Sequence, residues 1–362
     1  MNDNPRGTAL LYSGGLLTDL HAKTSHGLLR YSKRFEILGI IDHKYAGRMS
    51  GEFVSNCQHD LPIFSDITKA IKELGTKPEF LVIGIAFHGG QLPEAHRDSI
   101  NQALKTGMNV VSGLHQILSE DSEFAILAKE SGSIIYDIRK PRKVKDLSFW
   151  TGKVLSLKTP RIAVLGTDCA LGKRTTCQFL LQACDESNIK TELIYTGQTG
   201  FLQGFKHGFL FDATLNDFVT GELEKAIMEC DEISRPELML IEGQSSLRNP
   251  SGPCGSELLL AGDVNGVILV HAIDRDYFEG FEELKLKLPT IQEEIKLISN
   301  YGKKTIAVCI NSDNKNLDTQ ALADQLNLPV VNPIFESVSQ SLKLYKKLFC
   351  SNLMSYSQYN RV

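Results

Sequence analysis

Apolar residues in this chain fall into two alternating patterns. Short, near-continuous apolar runs begin at TALLYSG (Thr8), FEILGIID (Phe35), LPIFSD (Leu61), PEFLVIGIA (Pro78), NVVSG (Asn109) and SIIYDIRK (Ser133). Between them, HGLLRYSK from His26, ITKAIKELG from Ile67, SINQALKTG from Ser99 and a Leu- and Ala-rich stretch before Ser133 carry apolar residues at helical spacing. Runs apolar throughout are strands buried on both faces, so the alternation predicts a parallel sheet with helices packed on each side. A second series follows: RIAVL from Arg161, TELIYTG from Thr191, ELMLIEG from Glu237, NGVILVHAIDRDYF from Asn265, TIAVCIN from Thr305 and LPVVNPI from Leu328. A helix is expected over residues 283–300, and a closing helix over Ser337 to Lys347. Between the two series, Lys143 to Pro160 mixes charge, Gly and Pro without a clean period and reads as a connection, with Trp150 packed at the junction. The expected class is α/β: a Rossmann-like domain over residues 1–147, a linker over 148–160 and a P-loop domain over 161–362.

The strand RIAVL runs into GTDCALGKRTT, Gly166 to Thr176, and then into the helical pattern TTCQFLLQACDES. Strand, glycine loop, Gly-Lys, hydroxyl residues and helix is the layout of a phosphate cradle. Loop amides and the helix N-terminus face the anion, and Lys173 adds a mobile cation. Gly166, Thr167, Asp168, Gly172, Lys173, Arg174, Thr175 and Thr176 are the expected ligand-binding residues. Five residues separate Gly166 from Gly172 where the common pattern has four, and Arg174 stands where Ser or Thr ordinarily follows the lysine. The spacing and the GTD opening resemble the loop of dethiobiotin synthetase, an ATP-using P-loop enzyme. The arginine departs from hydroxyl coordination of Mg²⁺.

Other candidates stand at strand ends. ELMLIEG places Glu242 where P-loop proteins hold Mg²⁺ directly or through water. His271 ends the strand GVILVH, a position suited to proton exchange near neutral pH. The TGQTG stretch holds Gln198 and Thr199 between glycines that let backbone approach a ligand, and the long Gly/Pro/Ser loop after Glu242 contains Arg248. Asp217 and Glu222 open a helix, where they compensate its dipole. Lys23, Thr24 and Ser25 precede the first helix as an anion-friendly cap, a role that a solvated lysine on a capped helix fills equally well. A nicotinamide site is suggested by Gly14-Gly15 and Asp42, but LLTDLHAKTSHG after Gly15 is too long for the required glycine turn.

At 362 residues, each of two domains is long enough to bury its own core. A formal net charge of −4, without a long basic run, argues against nucleic-acid binding. No stretch approaches the roughly 20 apolar residues of a membrane span, and the N-terminus lacks a signal design, so the cytoplasm is expected. Eight cysteines without a C-x-x-C pair or zinc spacing read as reduced thiols, and no metal site is expected. Cys169 lies in the loop near a helix N-terminus that lowers thiol pKa values; filling the loop is its plainer role.

Taken together, AKTSHGLLRY, GTDCALGKRTT, TGQTGFLQG, LNDFVTGELE, LIEGQSSL and ILVHAIDR resemble the bacterial two-domain P-loop family catalogued as DUF1611, which includes a D-glutamate N-acetyltransferase. The resemblance spans most of the chain. It implies acetyl transfer from acetyl-CoA to the amine of an acidic amino acid, with the loop holding the carrier's phosphates. Glu242 and His271 are then the candidate bases, Arg248 and Arg275 the cations for the substrate carboxylates, and amides around Gly197 to Gly200 the oxyanion donors. A small-molecule substrate and a homo-oligomer are expected, with no membrane partner. The residues alone leave open an ATP- and Mg²⁺-dependent kinase or ligase, or a nucleotide-sensing regulator.

Overall fold

A computed structural model describes residues 4–312 and 314–333; the helix expected over Ser337 to Lys347 lies outside them. The chain forms two compact units. One comprises residues up to 142 together with 198–205; the other comprises 143–197 and the residues from 206 onward.

The first unit is a parallel sheet of β1 (Gly7–Tyr12), β2 (Phe35–Ile41), β3 (Ile63–Phe64), β4 (Phe80–Ile83), β5 (Asn109–Ser112) and β6 (Ile135–Asp137). Its order, β3-β2-β1-β4-β5-β6, is the Rossmann order. Helices α1 (Lys23–Arg30), α2 (Ile67–Leu74), α3 (Arg97–Lys105) and α4 (Ser122–Ser131) cover it. Their ends follow local chemistry. Asp66 and Asp121 accept amide hydrogens at the starts of α2 and α4, and Gly75 and Gly132 turn left-handed after them. Helix α1 begins at Lys23, three residues before the expected start, because the turn Leu20–Ala22 capped by Asp19 runs straight into it. Thr24 and Ser25 are therefore buried helical residues and not a cap: Ser25 donates to Gly84 O at 3.0 Å, and Thr24 meets the Thr199 hydroxyl at 3.1 Å.

That second contact comes from α6 (Gln198–Gln203), a helix where a ligand-approaching loop was expected. It is preceded in sequence by α5 (Lys173–Glu186) of the second unit. Leu202 is wholly buried in the core of the first unit among Leu11, Leu28 and Leu29. The Phe205 ring stacks on Tyr31 at 5.3 Å, and the Arg34 guanidinium lies 4.1 Å from the Phe201 ring centre.

The second unit is a seven-stranded parallel sheet. It contains β7 (Arg161–Gly166), β8 (Thr191–Tyr195), β9 (His207–Gly208), β10 (Leu238–Glu242), β11 (Gly266–His271), β12 (Thr305–Ile310) and β13 (Val330–Val331), in the order β13-β12-β11-β7-β10-β8-β9. Helices α7 (Asn216–Glu229), α8 (Ser256–Leu260), α9 (Ile291–Asn300) and α10 (Thr319–Leu326) accompany α5. Of the helix expected over 283–300 only the part from Ile291 forms, because Pro289 precedes Thr290, which starts α9 with a capping box to Glu293.

The expected linker is part of this unit. Glu224 accepts the Thr151 and Val154 amides, Glu222 accepts the Ser148 amide at 2.7 Å, and the Trp150 indole donates to Ala261 O. Glu222 is thus a buried anchor and not a dipole-compensating surface acid, the role that Asp217 keeps in the first turn of α7. Gly221 is required beneath this strap, since a Cβ there would lie 2.1 Å from Ser148 O.

Candidate active site

The central strand β7 is paired with β11 on one side and β10 on the other, with Gly166 opposite Val270 and Val164 opposite Glu242. This register brings the carboxyl ends of three strands to the glycine loop, the place where open parallel sheets bind ligands. Within the loop, Ala170 and Gly172 have positive φ values of 50° and 87°. A side chain at Gly172 would be strained by the positive φ, and its Cβ would stand 2.3 Å from Asn311 Nδ2, the group that donates to Leu171 O. Lys173 opens α5 and folds back over Gly166. Its ammonium donates to Asp168 O at 2.6 Å and Ser245 O at 2.7 Å. Burial pushes the Lys173 pKa down, and the carboxylates of Asp168 and Glu242 oppose the shift.

Asp168 does not face a ligand. It is wholly buried, with Oδ1 accepting Asn249 Nδ2 at 2.8 Å and Oδ2 accepting Arg275 at 3.0 Å and the Glu279 amide at 2.8 Å. Arg275 also donates to Cys169 O at 2.9 Å, so its guanidinium braces the loop. Thr167, also wholly buried, joins its hydroxyl to His271 Nδ1 at 2.9 Å. Burial holds the His271 pKa below its ordinary 6.5, with Arg275 adding to the effect. The imidazole is therefore neutral at pH 7 and able to accept a proton.

Glu242 is almost fully buried, and Arg174 Nη2 donates to its Oε1 at 2.6 Å. Thr196 fixes the same residue from the neighbouring strand, its hydroxyl donating to Glu242 O at 2.8 Å and its amide to Oε2 at 3.4 Å. Gln244 donates to the Thr196 hydroxyl. Gly197 lies against the same groups: a Cβ there would stand 2.4 Å from Gln244 Nε2 and 3.4 Å from Arg174 Nη2, so these side-chain ends would have to shift. Thr175 and Thr176 lie in the first turn of α5; the Thr176 hydroxyl is buried without a hydrogen-bond partner among the described residues. Cys169 is half-buried, its thiol donating to Ser245 Oγ at 3.5 Å.

The structure thus gathers Gly166 to Thr176, Glu242, His271 and Arg275 around one loop. Arg248 is engaged elsewhere: it donates to the buried carboxylate of Glu294 on α9 at 2.9 Å, so it is not a free cation above the sheet. Gln198 and Thr199 lie in α6 of the first unit, where Gln198 donates to Thr24 at 3.3 Å. The amides of residues 198–200 open that short helix and do not form an extended glycine loop. Asp42 cannot hold a ribose in its present bonding, because its carboxylate accepts from Ser13, Gly15, Leu17, Lys44 and Tyr45.

Asn249, Ser245, Thr196 and Asn311 were not apparent as site residues. Asn249 and Ser245 lie in the Gly/Pro/Ser loop that the sequence marks. Their part is to bond to the glycine loop across a large sequence separation, for which no local spacing gives a signal.

A family model described as the DUF1611 C-terminal P-loop domain, a domain of unknown function, matches residues 148–342. The chain belongs to the DUF1611 family. The companion DUF1611 N-terminal Rossmann-like model matches residues 43–141. A DUF1611 family protein from Anabaena variabilis, of known crystal structure, is 26% identical with a TM-score of 0.83, over 94% of this chain and 100% of that one. Two curated relatives carry the name D-glutamate N-acetyltransferase. The one from Pseudoalteromonas is 30% identical over 74% of this chain and 80% of its own length. The one from Tritonibacter scottomollicae is 27% identical over 82% and 89%. Acetyl transfer is thereby an activity found within the DUF1611 family. Among the described residues no helix is long and apolar enough to cross a membrane.

Proposed function

We propose that this DUF1611 protein is an N-acetyltransferase that moves the acetyl group of acetyl-CoA to the amine of an acidic amino acid, D-glutamate first. The observation that carries the reading is a neutral imidazole bonded, at 2.9 Å, to a threonine of the very loop that presents Lys173 and Arg174. The loop residues Gly166, Thr167, Gly172, Lys173, Arg174, Thr175 and Thr176 would hold the pyrophosphate of the carrier, whose thioester supplies the activated acetyl group. The two cations suit a polyphosphate, and the positive-φ turn at Ala170 and Gly172 shapes the loop's backbone.

Amide formation makes a C–N bond and breaks the C–S bond, so the attacking nitrogen sheds a proton and the departing sulfur is left as a thiolate or takes one up. His271 is the group suited to accept that proton. For Nε2 to act as base, Nδ1–H donates to Thr167 Oγ1, which fixes the tautomer. Glu242 is less suited, since its carboxylate is bound by Arg174. Arg248 and Arg275 are likewise committed to the chain's own carboxylates, so the acceptor's carboxylates are not assigned to them. A Mg²⁺-dependent kinase or ligase would need Glu242 turned to a metal and away from Arg174.

Purified protein mixed with acetyl-CoA and D- or L-glutamate, with free thiol followed over time, tests the proposal. Thiol release matched by N-acetylglutamate is expected, and its loss in Lys173→Ala and His271→Asn. ADP or phosphate release from ATP with carboxylate substrates, and no thiol release, would contradict it.

A further inference from the structure

We infer that Arg174 is a tethered replacement for the divalent cation that P-loops ordinarily recruit, making this loop a metal-independent polyphosphate site. The inference rests on the proposed reading of Gly166 to Thr176 as a phosphate cradle. In the common loop a hydroxyl residue directly follows the lysine and, with a strand-end carboxylate, holds Mg²⁺ against the phosphates. Both halves of that arrangement are altered here. Arg174 stands at the hydroxyl position, and its Nη2 donates to the strand-end carboxylate of Glu242 at 2.6 Å. A metal approaching Glu242 would have to displace a guanidinium already in place.

The remaining groups do not restore a metal site. The other carboxylate of the loop, Asp168, has its oxygens taken by Asn249, Arg275 and the Glu279 amide. Thr175 is one residue farther along α5, hence rotated by about 100° around the helix axis from the hydroxyl position.

Arg174 retains capacity for an anion. A guanidinium has five N–H donors in a planar fork and can serve a carboxylate and a phosphate together. One of those donors, Nε, is buried with no partner among the described residues. The ion pairs point the same way. Arg174 is paired with Glu242, and Arg275 with Asp168 and Glu279, whereas the Lys173 ammonium donates to the backbone carbonyls of Asp168 and Ser245. A polyphosphate therefore meets an ammonium held by neutral carbonyls, without an added ion. Selection follows: the loop favours a polyphosphate that travels without Mg²⁺, such as that of coenzyme A, over a Mg²⁺–nucleotide complex.

The test is equilibrium binding of coenzyme A and of ADP by calorimetry, in EDTA and in excess Mg²⁺. For the full-length protein, coenzyme A affinity should change less than about twofold between the two conditions. Arg174→Ser recreates the Gly-Lys-Ser order. It should bind about ten- to a hundredfold more weakly in EDTA, as expected for loss of a charged hydrogen-bond partner, and regain ADP affinity when Mg²⁺ is added. Adding Glu242→Gln to Arg174→Ser should abolish that recovery. Arg174→Lys, which keeps the charge and leaves Glu242 paired, should bind without Mg²⁺ and guards against a folding defect in the serine variant. Wild-type binding that requires Mg²⁺ would overturn the inference while leaving the cradle intact. Binding of neither ligand by the wild type would overturn both.

Discussion

At the scale of single residues, the chemistry depends on how burial and partners divide labour among a few ionisable groups. His271 and Glu242 both end strands beside the loop, yet their surroundings separate them. Glu242 is bound by Arg174. His271 has a hydroxyl partner and a burial penalty on its charged form. Because its folded pKa lies below 6.5, the neutral form is favoured in the folded state. The associated stability is present above pH 6.5 and is lost as pH falls through the lower, folded value. The proposed acetyl transfer should therefore show an acid limb in kcat/KM with a midpoint below 6.5, and Thr167→Val should lower kcat about tenfold or more by freeing the imidazole orientation. A limb centred at or above 6.5, or one unmoved in His271→Asn, would remove His271 from the role.

Among the elements, α6 departs most from what the local pattern suggests. Glycines around Gln198 and Thr199 read as a ligand loop, but the segment is a helix whose Leu202 fills the core of the first unit. Leu202→Ala should destabilise that unit by about 2–5 kcal/mol, as for other buried leucines. Thermal unfolding followed with a probe in the first unit would show it, and an unchanged midpoint would deny the packing. The strands, by contrast, were legible almost throughout, because double-sided burial writes itself as unbroken apolar runs. The strand–loop–helix around Lys173 was legible for the same reason, and the strand ends located Glu242 and His271. What could not be read was pairing across distance. Arg248 to Glu294, Arg275 to Asp168 and Thr24 to Thr199 each join residues whose partnership depends on the completed fold. Charged residues placed by sequence near a strand end are thus poor guides to which of them remain free for a ligand.

Across the whole molecule, two parallel sheets divide the chain, but the division does not follow sequence order. Residues 198–205 belong to the first unit although the P-loop family model spans them, and residues 143–160 belong to the second. A DUF1611 relative of known structure shares this fold over 94% of the chain, and two relatives carry an acetyltransferase name. The proposed acetyl transfer turns on whether the loop at the end of β7 grips a carrier's polyphosphate beside His271. A crystal structure of the full chain with coenzyme A tests this most directly. The pyrophosphate is expected within hydrogen-bond distance of Lys173 Nζ, Arg174 and the loop amides, with no metal between it and Glu242. Coenzyme A bound elsewhere, with Lys173 still on Asp168 O and Ser245 O, would contradict it.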